Sequence, residues 1–517
     1  MSKESRTHKS LLNAKVNLTF YLLSLLLSFF SRKMFLDHLG ADFIGLTGTL
    51  GNILGFLNLA ELGVGASVSY ALYQPIAKGN REEISRIVSV FGCLYRYIGC
   101  FVLAAGIIVS AFFPLMFQHT IFELGIIYFA FFSLLTSSLI GYFINYRSIL
   151  LYADQKNYVV TAYFQTAILI KTLVQMGLVC YTANLYLWVS IELVYSFIHA
   201  TILNWKIRQT YPWLIASTAV GNRVRSQYPE IVQKTKQVFV HKIKDFLIQQ
   251  SDQILIFAFV SLKMVAYYGN YTLVVGRLTM LFTTMMGGIV AGVGNLIAEG
   301  DKEKIQRVFG EMLFTHYVIA GIVVFAIYQG IQPFIYLWLG QEYLLSHPIL
   351  ILLLVNAFIM LSRGAVDTFN TACGHFHDTW SAWVEGIINI SVTIFSCIQW
   401  GLAGVLIGKI ASLVPIIVIW KPLFLYRTSF KRSIWHYWKT VGLTWLGFAI
   451  AFGIASYSSR LLPFDPYHDF MQWTSYCVSL TAIFVLLYVI TLFLFTQGAK
   501  DMTHRVINTM LKNNRMS

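Results

Sequence analysis

The chain has 517 residues, of which 57% are hydrophobic and 12% are charged, and its formal net charge is +15. A soluble protein of this length needs far more charge on its surface, so the composition excludes a soluble enzyme. It indicates a polytopic membrane protein built from helices.

Apolar stretches of about 20 residues, the length that crosses a bilayer as a helix, predict fourteen membrane spans. In chain order they lie near residues 14–31, 43–72, 87–113, 121–144, 158–180, 185–204, 238–260, 265–296, 308–332, 349–370, 379–399, 402–425, 440–458 and 471–496. The polar, basic segment Met1–Ser10 precedes an apolar run that is longer than a signal peptide and has no small-residue cleavage site. We therefore expect the first span to be retained as a transmembrane helix.

The basic residues predict how these spans are oriented. Most of the 38 lysines and arginines fall on one side of the membrane, and only Arg32, Lys33, Lys263 and Arg460 fall on the other. By the positive-inside rule, both termini are predicted to be cytoplasmic. The basic excess is thus expected to set orientation and to contact membrane lipids, and no nucleic-acid partner is predicted.

Twelve residues occur twice in the chain, 221 positions apart. Ile76–Ile87 returns as Ile297–Val308 with six identical positions, and each copy follows the second span of its half. Two similar connectors between unrelated helices would be one explanation. The shared place in the hydropathy pattern favours the other, a duplicated helical bundle such as many secondary transporters have.

The repeat predicts how the chain is divided. Residues 1–205 are expected to form one six-helix bundle and residues 238–428 a second, pseudo-symmetric one. Residues 429–517 add two further transmembrane helices and a cytoplasmic tail. The segment 206–237 is basic and amphipathic, so it either lies on the cytoplasmic membrane surface or is an ordinary charged linker. The predicted fold class is an all-α polytopic membrane protein with about 14 transmembrane helices.

Ionisable side chains inside a span are costly, so they indicate paired or functional positions. The basic ones are Arg96, Lys171, Arg277, Arg363 and Lys409, and the acidic ones are Glu61, Glu192, Asp252, Asp367 and Glu385. Arg363 and Asp367 are spaced i,i+4, which favours an ion pair on one helix face. Glu385 lies near a helix end and is expected to extend to the interface.

Some ionisable positions have no obvious partner nearby in the sequence and lie well inside their spans. They are Glu61, Arg96, Lys171 and Arg277. Arg32 and Lys33 lie where the first span meets the outer face, so they either line a mouth or anchor the helix. Asp252 belongs to the polar run Gln249–Gln253 within the seventh span, which is expected to face the neighbouring bundle or a water-filled cavity.

Neither the cysteines nor a nucleotide-binding motif indicates a cofactor. The six cysteines lie almost entirely in apolar stretches, without a CxxC or Cys/His cluster, so no metal site is predicted. The chain also lacks the G-x-x-x-x-G-K-[ST] phosphate-binding loop. We therefore expect no cofactor, and we expect energy to come from an ion gradient or the membrane potential.

Several short motifs resemble those of bacterial O-antigen and polysaccharide flippases, in particular those of Bacteroidales. These flippases belong to the multidrug/oligosaccharidyl-lipid/polysaccharide exporter superfamily. The segments are Phe35–Leu46, Asn58–Gly65, Asp252–Ile256, Tyr268–Tyr271 and Leu339–Tyr343. The resemblance covers nearly the whole chain in order and hydropathy, and fourteen spans suit the polysaccharide and lipid-linked branches better than the usual twelve of multidrug exporters.

The resemblance implies a non-enzymatic flippase in the bacterial inner membrane. Such proteins move undecaprenyl-pyrophosphate-linked oligosaccharides to the periplasmic leaflet by alternating access, alongside other membrane proteins of polysaccharide assembly. Cations in the cavity would bind the pyrophosphate. The candidates are Arg32, Lys33, Arg96, Lys171, Arg277, Arg363 and Lys409. The candidates for coupling to a proton or sodium gradient are Glu61, Asp252 and Asp367.

Two other functions fit part of the pattern. An exporter of drugs or of another lipid-linked precursor would share the same spans. A membrane-embedded polysaccharide polymerase or glycosyltransferase would be expected to have a large periplasmic loop or a cytoplasmic sugar-nucleotide motif, and it would leave the duplication unexplained.

Overall fold

The computed structural model describes residues 6–61, 64–231, 233, 235, 251–287, 293–294, 296–297, 299–373 and 378–495. This part of the chain is helical and contains 11 helices that are long and apolar enough to cross a membrane. The prediction of an all-α multi-pass membrane protein is therefore confirmed. The chain forms two compact units, Met1–Ala266 and Tyr267–Ser517, which we call unit 1 and unit 2.

The described part of unit 1 has seven long helices. They are α1 Arg6–Leu39, α2 Ala41–Leu57, α3 Val64–Lys78, α4 Arg81–Ser110, α5 Leu124–Phe143, α6 Asn157–Tyr181 and α7 Leu185–Thr210. Helix α1 packs on α6, α4 packs on α3 and α5, and α5 packs on α7. Val68 and Leu72 of α3 and Val88 and Phe91 of α4 are buried in a shared apolar core. Because these residues recur every three or four positions, they lie on one face of each helix.

The second predicted span, 43–72, is not one continuous helix. Helix α2 ends at Leu57, a 3-10 turn occupies Asn58–Glu61, and α3 begins at Val64. The predicted span 43–72 therefore contains two helices joined by a turn. The side chain of Asn58 bonds to groups on α5 instead of continuing along an apolar helix face. Such side-chain bonds compete with helical hydrogen bonding and favour an interruption.

Unit 2 contains the remaining long helices of the described chain. They are α8 Leu262–Gly287, whose first residues belong to unit 1, α9 Lys302–Leu339, α10 His347–Ser362, α11 Gly364–Ala372, α12 Thr379–Trp400, α13 Leu402–Leu413, α14 Trp435–Ser458 and α15 Phe470–Phe495. Helix α13 continues through π-helical and α-helical turns to Phe430. Helices α14 and α15 pack on each other and on α9, where the rings of Phe325 and Phe484 stack at 4.1 Å. The apolar core of this region is thus largely aromatic.

The two copies of the repeated segment have the same local structure. Gly79 has φ +69° and Gly300 has φ +77°, a conformation that glycine adopts without steric cost. The next residue caps the following helix in both units. The side chain of Asn80 accepts from the Glu83 N–H, and the side chain of Asp301 accepts from the first turn of α9. Each unit therefore joins two helices through the same glycine turn and polar cap.

Part of the predicted linker folds onto unit 1. Residues Thr218–Val224 form a short helix against α4, where a Cβ on Gly221 would lie 1.9 Å from the carbonyl oxygen of Ser89. The side chain of Asn222 accepts a hydrogen bond from the Tyr97 hydroxyl at 3.2 Å. Of the predicted linker, only residues 232, 234, 236 and 237 lie outside the described residues, together with 238–250 of the predicted span 238–260.

Candidate functional site

Glu61 lies in the turn between α2 and α3, where two tyrosines surround its carboxylate. The hydroxyl of Tyr95 on α4 donates to Oε1 at 2.5 Å, and the hydroxyl of Tyr142 on α5 donates to Oε2 at 2.9 Å. Tyr142 is also 2.9 Å from Oδ1 of Asn58, which accepts from Ser138 at 3.1 Å. A tyrosine hydroxyl has one proton, so Tyr142 donates to Glu61 or to Asn58 at any one time.

A cavity of about 220 Å³ borders this carboxylate, and we call it the Glu61 cavity. Its polar lining includes Glu61, Tyr95, Ser138, Tyr142, Asn145 and Tyr152. At about 30 Å³ per molecule, it has room for roughly seven waters. None of the described residues that line it is a lysine, arginine or histidine. Within the described residues, Glu61 also forms no ion pair.

This arrangement has a direct chemical consequence. A carboxylate between transmembrane helices is costly unless hydrogen bonds or a cation compensate its charge. The Tyr95 and Tyr142 hydroxyls compensate the Glu61 carboxylate, and the adjoining cavity has room for water beside it. These hydrogen bonds join the α2–α3 turn to α4 and α5.

Lys171 has an ionic partner that its own helix does not supply. Its Nζ lies 2.6 Å from Oε1 of Glu192, which is on the neighbouring helix α7, and the two side chains are only 17% and 21% exposed. Gln175 donates to the backbone carbonyl of Trp188 at 3.1 Å and to Oε2 of Glu192 at 3.4 Å. The positive charge of Lys171 is therefore already compensated inside unit 1.

The other predicted pyrophosphate ligands of unit 1 lie apart from the Glu61 cavity. Arg32 donates from NH2 to the Ala266 carbonyl at 3.0 Å. Lys33 is exposed and pairs with Asp37 at 3.6 Å, which fits the anchoring role. Arg96 is exposed on α4, next to Tyr95 in sequence but outside the lining of the cavity.

In unit 2, the predicted pair between Arg363 and Asp367 is present, at the break between α10 and α11. Arg277 on α8 and Lys409 on α13 are half-buried, and Asp252 in unit 1 is buried. None of these five residues lines the Glu61 cavity.

One expectation for unit 2 is wrong. Glu385 is 1% exposed, so it does not extend to the interface. Glu385 lies on α12, which packs closely on α13: a Cβ on Gly408 would lie 2.0 Å from Oγ1 of Thr393.

Sequence reasoning missed a buried ion pair at the start of α12. Asp378 is 1% exposed and pairs with Lys421 at 2.9 Å, while the indole of Trp420 and the hydroxyl of Ser381 donate to the same carboxylate. The available signal was an acid and a base at the ends of two neighbouring predicted spans. The cluster joins α12 to the helix that continues α13.

The tyrosine partners of Glu61 were also missed, and no sequence signal marks them. The chain has 29 tyrosines, and Tyr95 and Tyr142 lie 34 and 81 positions from Glu61. Within the described residues, no group of three or more His, Cys, Asp or Glu side chains could hold a metal ion.

Comparison with known proteins places this fold. No protein-family model and no curated protein matches the sequence. A solved structure described as a lipid II flippase MurJ in an inward closed conformation matches with a TM-score of 0.64 and 13% identity, over 93% of this chain and 98% of that one. An inward-facing multidrug resistance MATE family transporter of the MOP superfamily matches with a TM-score of 0.54 and 14% identity, over 80% of this chain and 99% of that one. The chain therefore has the fold of these two multi-pass membrane proteins.

Proposed function

We propose that this protein is a flippase that moves a lipid-linked oligosaccharide from the cytoplasmic to the periplasmic leaflet. One observation carries the proposal: the fold match to a structure described as a lipid II flippase extends over 93% of this chain and 98% of the other. At 13% identity the match supports the architecture, and the substrate class is our inference from it.

This architecture suits a substrate that combines a polar head group with an apolar lipid tail. A sugar chain and a pyrophosphate cannot enter hydrocarbon, whereas a polyprenyl tail remains stable there. A protein that encloses only the head group lowers the barrier while the tail stays in lipid. Cations in the path would replace the water around the pyrophosphate, and arginine can do so with two parallel hydrogen bonds.

Of the seven candidates for pyrophosphate binding, we remove one, Lys171. We retain Arg32, Lys33, Arg96 and Arg277 as the principal ones, with Arg363 and Lys409 as additional ones. Lys171 is set apart from them, because Glu192 already compensates its charge. An incoming anion would have to compete with that carboxylate.

Glu61 is the carboxylate that we propose for energy coupling. It has no ion-pair partner in the described part of the chain, it borders a cavity, and it lies at an interruption between two helices. Uptake and release of a cation there would change the hydrogen bonds that join the α2–α3 turn to α4 and α5. Asp252 and Asp367 remain candidates, although the second is already paired with Arg363. The membrane potential is the alternative source of energy, at roughly 2.3 kcal/mol per charge per 100 mV.

A multidrug exporter is the second candidate, because a transporter so described shares the fold. That match covers 80% of the chain and leaves a fifth of it without a counterpart. The segment 429–517, which contains α14 and α15, has 89 residues and is of that order. We therefore favour the lipid-linked substrate over a drug.

Deletion of the gene in its host tests the proposal. A flippase defect should cause complete oligosaccharide-lipid to accumulate on the cytoplasmic leaflet, and a plasmid copy should reverse it. Accumulation of incomplete chains would indicate an enzyme of assembly instead. Resistance to cationic dyes on overexpression, with normal oligosaccharide-lipid in the deletion, would indicate a drug exporter.

A further inference from the structure

A second cavity of unit 1 lies among α5, α6 and α7, and we call it the Lys171 cavity. Its volume is about 250 Å³, and the residues that matter for its chemistry are Ser137, Phe164, Lys171, Glu192, Tyr195 and His199. It shares two bordering residues, Gly141 and Asn145, with the Glu61 cavity but has its own charged pair.

The Lys171 cavity is close to electrically neutral. Among the described residues, the only charged side chains in its lining are Lys171 and Glu192, and they compensate each other at 2.6 Å. An anion entering here would bring a second negative charge next to Glu192 and compete for the same ammonium group. The pair therefore disfavours a phosphate or pyrophosphate and accommodates an uncharged polar group.

Several hydrogen-bonding groups around the cavity lack partners. Oγ of Ser137 and Nε2 of His199 are buried without a hydrogen-bond partner among the described residues. The Lys171 ammonium has three N–H groups, and the described residues supply one acceptor, on Glu192. Buried polar groups of this kind are normally satisfied by a protein group, by water or by a ligand. The cavity thus offers both donors and acceptors to a molecule with several hydroxyl groups.

Aromatic rings border the same space. Phe164 is 47% exposed, and its ring meets that of His199 edge-on at 5.3 Å between centroids, while Tyr195 lines the cavity from α7. Aromatic faces pack well on apolar C–H surfaces, and the tyrosine adds a polar tip. A pyranose ring has an apolar C–H face and a rim of hydroxyl groups, so it matches this combination.

The volume sets the size of the occupant. At about 30 Å³ per water, the cavity has room for roughly eight waters. It is smaller than the roughly 300–1,000 Å³ of sites for drug-sized ligands. A single sugar ring fits these dimensions, whereas an oligosaccharide does not.

We propose that the Lys171 cavity binds one uncharged sugar ring of the transported head group. The proposal rests on the proposed function, and it gives Lys171 a role different from that of the pyrophosphate-binding cations. The ion pair between Lys171 and Glu192 supplies a donor and an acceptor at fixed positions, and Phe164 supplies the apolar face.

Binding is tested on the purified full-length protein in detergent by saturation-transfer NMR. The probes are N-acetylglucosamine, N-acetylgalactosamine, glucose and galactose, each alone. At least one should bind saturably, and Phe164→Ala should weaken its binding at least tenfold, which is about 1.4 kcal/mol. The matched control is Phe197→Ala, because Phe197 is 46% exposed on α7 and does not line the cavity. It should bind like the wild type.

A second variant distinguishes a loss of sugar binding from a loss of folding. Ser137→Ala removes a buried hydroxyl that has no partner among the described residues, so it should leave thermal stability unchanged or raised while it weakens sugar binding. Wild-type protein that binds none of the four sugars overturns the proposal. Equal losses in Phe164→Ala and Phe197→Ala overturn it as well.

Competition with inorganic pyrophosphate shows whether the cavity binds the sugar or the pyrophosphate of the head group. It should not displace the bound sugar, and displacement would make this an anion site and overturn the proposal. Binding is measured without transport, so the two proposals fail separately. Protein that binds sugar but moves no lipid-linked carrier contradicts the flippase function alone, and protein that moves the carrier but binds no sugar contradicts the sugar site alone.

Discussion

The hydrogen bond between Tyr95 and Glu61 tests whether Glu61 is held as a carboxylate. The two oxygens are 2.5 Å apart, and the second carboxylate oxygen has its own donor in Tyr142. A hydrogen bond to a charged group contributes roughly 1.5–3 kcal/mol to stability. Neutral side-chain hydrogen bonds between transmembrane helices average about 0.6 kcal/mol. We therefore expect a coupling energy of at least about 1.5 kcal/mol between Glu61 and Tyr95.

The assay is a double-mutant cycle on the free energy of unfolding in detergent, with Glu61→Leu, which removes the acceptor, Tyr95→Phe, which removes the donor, and the combined variant. The coupling energy is the difference between the effect of the combined variant and the sum of the two single effects. Tyr152→Phe is the matched control, because Tyr152 lines the same cavity but its hydroxyl has no hydrogen-bond partner in the described part of the chain. A coupling energy near 0.6 kcal/mol, or no larger than that of Tyr152, would refute the interpretation of Glu61 as a carboxylate held by tyrosines.

Three further stability predictions follow from the packing, each measured as the free energy of unfolding in detergent. Lys171→Met should lower the free energy of unfolding by about 3–5 kcal/mol, because it leaves the largely buried Glu192 without its cation. Adding Glu192→Leu to this variant should restore most of that free energy. If it restores none, the ion pair is contradicted. Gly79→Ala and Gly300→Ala should each cost about 1–2 kcal/mol because both positions have positive φ, and a large effect at only one of them would contradict the equivalence of the two turns. Gly404→Ala should cost about 1–3 kcal/mol because its Cβ would lie 2.4 Å from the backbone of α12, and a neutral effect would contradict that close approach.

Features that depend on hydropathy and local sequence were predictable. Long apolar runs predicted an all-helical membrane protein, and the described residues contain 11 helices of that kind. The repeated twelve residues also predicted equivalent local structure, since in both copies a glycine is followed by Asn or Asp, which can cap the next helix. Gly79 with Asn80 and Gly300 with Asp301 fold alike for this reason.

Features that depend on contacts between helices were not predictable. The sequence marked Glu61 as an unusual carboxylate, but Tyr95 and Tyr142 reach it only because α4 and α5 pack beside the α2–α3 turn. The sequence showed no obvious partner for Lys171 in its own span. Its partner, Glu192, lies 21 positions away on the next helix of the bundle. A hydropathy pattern contains no information on which helix faces meet. It therefore identifies ionisable residues within the spans but not the residues with which they pair.

Transport in proteoliposomes tests the central claim most directly. Purified protein is reconstituted with an undecaprenyl-pyrophosphate-linked oligosaccharide, and the fraction of glycan accessible to an added glycosidase is followed over time under an imposed proton or sodium gradient. We predict movement well above that in protein-free liposomes, with gradient dependence that Glu61→Gln abolishes and Tyr152→Phe preserves. No movement of the lipid-linked glycan, together with gradient-driven movement of a cationic dye, would contradict the flippase proposal. Gradient-dependent movement undiminished in Glu61→Gln would remove Glu61 from the coupling role.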